Sequence, residues 1–156
     1  MNIAIRNAIE ADIPILTGLY RDMYDELTAY NDTFSLNIEE LPDLLSTRLK
    51  SKLFRVFIAE NGGTAIGFIL AGISKTERKL KKEGTPFIGS YIDIFVTGGF
   101  RGQNAAAMLL DAADEWFRES GADMAEAVIL SGNDASKALF GKHGLRPLFD
   151  TFYRRI

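Results

Sequence analysis

The sequence contains no cysteine and a single histidine, His143. Without cysteine there is no disulfide framework, no thiolate metal site and no cysteine nucleophile. One histidine cannot build a histidine metal cluster, so no metal is expected. No apolar run approaches the roughly 20 residues of a membrane span. The N-terminal stretch Met1 to Glu10 lacks the basic-then-apolar pattern of a signal peptide. A cytoplasmic location with no membrane partner is therefore the expectation. Charge of one sign is also scarce, with 18 basic against 21 acidic residues for a net −3. A general nucleic-acid binder would be basic on at least one face, so no nucleic-acid partner is expected. Internal repeats, linkers and low-complexity tracts are absent as well.

What is present is an ordinary globular composition over 156 residues, 47% apolar and 25% charged. That length is one domain, 1–156, large enough to bury a core. Ile3 to Ile9 alternates apolar and polar residues as a half-buried strand does. A helix starts at Ala11 or Asp12, with Asp12 as its N-cap and Pro14 in its first turn. Ile13, Leu16, Tyr20, Tyr24 and Leu27 share one face of it. Tyr30 to Leu36 reads as a loop. Ile38 to Leu49 is a second helix with Leu41, Leu44, Leu45 and Leu49 inward. Phe54 to Glu60 and Thr64 to Ser74 are strands around the hairpin signal Asn61-Gly62-Gly63. Lys75 to Pro86 is polar, and its basic residues Lys75, Arg78, Lys79, Lys81 and Lys82 suit a solvated hairpin tip or a contact with an acidic partner.

Phe87 to Val96 is a long strand. Gln103 to Glu119 is a helix with Ala106, Leu109, Leu110, Ala113 and Phe117 on one stripe and Asp111, Asp114, Glu115 and Arg118 opposite. Met124 to Leu130 is a strand, Asp134 to His143 a short helix, and Leu145 to Arg154 a final strand. The order β-α-α-β-β-β-α-β-α-β predicts an α/β fold. Its central sheet should be mixed and mostly antiparallel, of about six strands, with helices on both faces.

The stretch from Tyr91 to Leu110 runs from an apolar strand through a Gly-rich turn into an Ala-rich helix. Amides at such a turn have no internal partner, and the helix dipole adds positive potential there. The arrangement suits a phosphate or diphosphate. It is neither the dinucleotide fingerprint nor a P-loop. It resembles the GNAT superfamily of N-acetyltransferases, which carries Gln/Arg-x-x-Gly-x-Gly/Ala at this place. Arg101, Gly102, Gln103, Asn104, Ala105 and Ala106 stand at those positions, with Asn104 in place of the first family glycine. A second family block, Asn then Tyr seven positions on and then Gly-Phe, is matched by Asn133, Phe140, Gly144 and Leu145. The element order agrees from Ile3 to Tyr153.

The resemblance implies a GNAT-like fold and an acetyl-CoA-dependent N-acetyltransferase. It would act by direct attack of a primary amine on the thioester. The acceptor would be a small-molecule or peptide amine, and a homodimer is possible. The turn 101–106 would bind the diphosphate. The backbone of Ile94, Phe95 and Val96 would hold the thioester carbonyl and the pantetheine arm, and Asn133 would bond that arm unless it only caps the following helix. Asp93 is the carboxylate of the Phe87–Val96 strand and the first candidate for the base; Glu126 is the second. Phe140 replaces a family Tyr that can protonate the departing thiolate. Ser131 or Tyr91 could supply that proton. The acidic, aromatic helix pair with Tyr20, Tyr24, Tyr30, Asp22, Asp25, Glu26, Glu39 and Glu40 either shapes a pocket for a cationic amine or is an ordinary amphipathic surface. His143 is expected at the surface or as a cap. Phe140 and Asn104 keep open a non-catalytic acyl-CoA-binding or interaction module on the same fold. An unrelated binding domain with coincidental motifs remains a third reading.

Overall fold

The computed structural model describes residues 2–77 and 83–156. Strands β1 (Ile3–Asn7), β2 (Phe54–Asn61), β3 (Thr64–Lys75) and β4 (Phe87–Val96) pair antiparallel in chain order, and β5 (Ala125–Ala127) joins β4 in parallel. The sheet order is β1-β2-β3-β4-β5. Gly62 and Gly63 make the β2–β3 hairpin with φ of 59° and 83°. A two-residue hairpin whose twist matches its strands needs positive φ at both central positions, which glycine takes without steric cost.

Alternation along the strands sends side chains to two clusters. On one face α1 (Ile13–Leu27) and α2 (Leu41–Lys50) bury Leu16, Leu19, Tyr20, Met23, Leu41 and Leu45 against Val56, Ile58, Phe68, Leu70 and Phe95. On the other, α3 (Ala105–Glu119) lays Leu109, Leu110, Ala113, Trp116 and Phe117 over Ala59, Ile69, Ala71 and Tyr91, and α4 (Asp134–Lys142) adds Phe140. The α3 contact is very close at one point. A Cβ on Gly89 would stand 2.5 Å from the Phe117 ring.

Several expectations are corrected by the structure. The final strand over Leu145–Arg154 does not form, so the sheet has five strands rather than six. The strand expected over Met124–Leu130 pairs only from Ala125 to Ala127. An edge that short cannot template a ten-residue partner, and Pro147 has no amide to donate. Asp12 stands at the N-cap position of α1 as expected, but its side chain makes no capping hydrogen bond to that helix. It closes a 3₁₀ turn (Glu10–Asp12), accepts from the Ile9 amide at 2.8 Å, and takes both Arg6 Nη atoms at 2.7 and 2.8 Å. The Arg6 hydrogen bonds hold the Asp12 carboxyl below the usual aspartate range despite its burial. The second helix begins at Leu41, not Ile38, and it buries Leu41 and Leu45 while Leu44 is 47% exposed at the edge of that face. Of the basic run, Lys75 ends β3, while Arg78, Lys79, Lys81 and Lys82 lie outside the described residues.

Candidate active site

The geometry of the site begins with one extra residue in β4. Tyr91 is opposite Ala71 and Asp93 is opposite Leu70, so two steps on β4 match one on β3 and Ile92 is bulged. Strict alternation would put Asp93 on the same face as Tyr91, against α3. The bulge instead leaves Ile92 and Asp93 on the α1 face together. There Tyr20 Oη donates to Asp93 Oδ2 at 2.8 Å. Burial raises the Asp93 pKa above the ordinary aspartate value, because a charged carboxylate is poorly solvated there. The Tyr20 hydrogen bond and the Arg48 charge pull the other way without cancelling the rise. Burial, with the Asp93 charge behind it, also raises the Tyr20 phenol well above 10.0, so it stays a donor.

Beyond Tyr91, β4 and the edge strand β5 part. β4 and β5 pair only at Gly89–Ala125, Ser90–Glu126 and Tyr91–Ala127. The Thr97 amide donates to Ile66 O at 2.9 Å, and a Cβ on Gly67 would lie 2.5 Å from Phe95 O. Main-chain groups of Phe95 and Thr97 therefore face β3. Alternation turns those of Ile94 and Val96 toward the side that β5 has left. Of the three strand positions singled out in the sequence, two thus offer main-chain groups to the notch. Phe95 spends its own inside the sheet and buries its ring.

The turn after β4 ends in α3, whose first intrahelical bond is Met108 N–H to Asn104 O at 3.0 Å. Amides of residues 102–107 have no acceptor among the described residues, as expected at a helix start. Gly102 has φ 74° and Asn104 has φ 70°, so the replaced family glycine keeps its left-handed conformation with an asparagine. A Cβ at Gly98, Gly99 or Gly102 would meet nothing within 4 Å, which leaves this surface open to an approaching anion. Ala105 is buried and Ala106 half-buried. The Arg101 side chain turns back: Nε donates to Val96 O at 2.8 Å and Nη2 pairs with Glu26 Oε2 at 2.6 Å. The Gln103 amide nitrogen donates to Gly99 O at 3.3 Å.

Notch and α1 face meet in a cleft of about 240 Å³, with Asp93, Ile94, Asn133 and Phe140 in its lining. Met23, Tyr24 and Leu27 of α1, Phe34, and Val128 to Leu130 complete most of its wall. Asn133 caps α4 by accepting the Ser136 amide at 3.1 Å while lining the cleft. Phe140 is buried, its ring 5.5 Å from that of Tyr91. Glu126 and Ser131 are exposed and do not line the cleft, and the Ser131 carbonyl accepts from the Lys137 ammonium.

Three residues behave differently from expectation behind the notch. Asp114, placed by helical periodicity on the polar side of α3, accepts the Tyr91 hydroxyl and pairs with His143 Nε2 at 3.0 Å. His143 is therefore not a free surface residue; its side chain is 14% exposed and ties the end of α4 to α3. Burial and then the Asp114 hydrogen bond raise the Tyr91 phenol above its ordinary value. No three metal-ligating side chains cluster among the described residues. No helix among them is long and apolar enough to cross a membrane.

The fold is thus a mixed sheet split between β4 and β5, with the start of α3 and its unpaired amides beside the split. The family model of the acetyltransferase (GNAT) family matches residues 19–145. The chain belongs to that family and is an N-acetyltransferase with acetyl-CoA as cosubstrate and an unspecified acceptor. A comparison with curated proteins finds no match. Among solved structures the chain is similar to aminoglycoside N-acetyltransferase AAC(6')-Iy in complex with CoA. The TM-score is 0.83 at 19% identity, over 99% of this chain and 95% of that one. The same enzyme with a bisubstrate analogue, CoA-S-monomethyl-acetylneamine, gives 0.80 at 21% identity, over 100% and 99%. A transcriptional regulator from Bacillus halodurans C-125 gives 0.80 at 16% identity, over 99% and 100%. At these identities the likeness is one of fold.

Proposed function

We propose that residues 1–156 act as one acetyltransferase domain that moves an acetyl group directly onto a primary amine bound beside Asp93. The observation that carries this reading is the position of Asp93. It is a half-buried carboxylate facing the cleft where the β4–β5 notch opens, and the notch leads to the start of α3.

The residues fit the coenzyme. Unpaired amides of 102–107 and the α3 dipole would hold its diphosphate. Main-chain groups of Ile94 and the amide of Val96, whose carbonyl is taken by Arg101, would hold the arm and the carbonyl, with Asn133 and Phe140 as side walls. Acetyl-CoA supplies a thioester whose carbonyl carbon gains the N–C bond while the C–S bond breaks and sulfur keeps the electron pair. Asp93 takes the proton that turns the ammonium of the acceptor into a nucleophilic amine. Its raised pKa makes it a stronger base than an exposed aspartate. Tyr20 occupies Oδ2 and leaves the other oxygen for the amine. The proton shed from nitrogen as the amide forms returns through solvent to the sulfur. Phe140 cannot donate it, and the Tyr91 hydroxyl is given to Asp114. A free thiol has a pKa of about 8.5, so its thiolate leaves without a dedicated acid.

Thiol release on mixing acetyl-CoA with an amine panel tests the reaction. No release above background with every amine at saturating acetyl-CoA would refute it; coenzyme binding measured in the same samples would then point to the non-catalytic module. Ala106→Glu places a carboxylate in the first turn of α3, where it repels the diphosphate. Calorimetry should show CoA affinity falling by about tenfold or more, about 1.4 kcal/mol.

A further inference from the structure

We propose that the acceptor is a monoamine carried on an apolar body of about one ring, rather than a polycation. The inference rests on the acetyltransferase reading of the Asp93 cleft and deepens it. Fifteen residues line that cleft, and Asp93 alone among them is charged. One carboxylate meets one ammonium. A second ammonium brought into this cleft would leave water with no counter-charge to receive it.

The rest of the wall is chemically uniform. Met23 and Leu27 come from α1, Phe34 from the loop after it, and Val128 and Leu130 from the chain leaving β5. Phe34 is 72% and Val128 91% exposed, so apolar surface at the mouth is open to solvent. A contiguous apolar wall of this kind beside one placed polar group is the usual make-up of a ligand site. Size points the same way. At about 240 Å³ the cleft lies below the usual range for ligand pockets, and it must also take the thioester end. The adjacent groove shares Tyr24 and carries Glu40 and Asp43. A long polyamine that reached past the cleft could set its second ammonium there, which makes polyamines the sharpest test of the single-charge reading.

The test is calorimetry on the CoA-loaded protein with 2-phenylethylamine, neamine and spermidine, followed by kcat/KM for each from thiol release. Phenylethylamine should bind at least tenfold more tightly than the other two and lead in kcat/KM by a similar factor. Phe34→Ala should weaken phenylethylamine at least threefold and n-propylamine by a clearly smaller factor, since the small amine has less apolar surface to lay against the mouth. Equal or tighter binding of neamine or spermidine overturns the proposal, and so does no binding of phenylethylamine. Transfer with the reversed order sinks this inference alone. The expected binding order without thiol release sinks the transferase reading and keeps the recognition.

Discussion

Replacing Asp93 by asparagine should make the protein more stable and the enzyme much worse. In the unfolded chain this carboxyl titrates near 3.8; in the folded protein burial raises it. The folded state therefore holds its proton to higher pH than the unfolded state does. Stability falls as pH rises from about 4 through the folded pKa, and the deficit is then constant at neutral pH. Every tenfold by which folding tightens the hold on that proton corresponds to about 1.4 kcal/mol. For a chain of this length that is about 3–5 °C in Tm. Asparagine carries no charge to desolvate and still accepts the Tyr20 hydroxyl. At pH 7 the Asp93→Asn variant should melt several degrees above wild type, and at pH 4 the two should coincide. With a good acceptor, kcat/KM should fall by about 10²–10⁴, and the acidic limb of its pH profile should disappear. Calorimetric melting at both pH values and a thiol-release assay read out all three. A variant that melts lower than wild type at pH 7, or a gain of equal size at both pH values, would refute the assignment of burial as the dominant influence on Asp93.

Tyr20→Phe removes a hydrogen bond that lowers the Asp93 pKa. The acidic limb of the kcat/KM profile should move to higher pH, and denaturant titration should show a loss of about 1–2 kcal/mol. Asn104→Ala forces a Cβ without a local hydrogen-bonding group into φ 70° and should cost about 1 kcal/mol by the same titration, whereas Asn104→Gly should be neutral or slightly stabilising. Gly89→Ala drives a methyl into the Phe117 ring, and the thermal midpoint should fall by the equivalent of about 1–3 kcal/mol.

Much of this molecule could be read from local pattern. Helical periodicity placed Leu16 and Tyr20 inward, and the spacing of Leu109, Leu110, Ala113 and Phe117 announced the stripe of α3. Asn61-Gly62-Gly63 fixed a hairpin because only certain residues tolerate its dihedrals. The turn 101–106 was legible for the same reason: a left-handed turn into a helix start favours small side chains and residues that tolerate positive φ, and these leave a trace in the sequence. The parts that were not legible depend on pairing between distant segments. Nothing in Tyr91-Ile92-Asp93 shows that the strand bulges, so the meeting of Asp93 with Tyr20 across 73 positions was hidden. Periodicity put Asp114 on a polar side correctly in angle. It could not show that α4 returns there with His143. The final strand failed to form because apolar composition does not create an edge to pair with. The cleft wall Phe34 lies in a loop without periodicity, and Val128 in a stretch that reads as strand but leaves the sheet after Ala127.

The bulge at Ile92 also separates two properties that point mutations usually change together. Deleting Ile92 would leave every remaining β4 side chain on its present face, since Tyr91 would still look toward α3 and Asp93 still toward α1. The shortened strand could follow its parallel neighbour past Tyr91 instead of veering from it, drawing 128–130 into the sheet and shutting the gap. A chain one residue shorter would thus be the better-knit fold and would lose the cleft: the length of a single strand, more than the identity of any side chain on it, holds the gap between β4 and β5 apart.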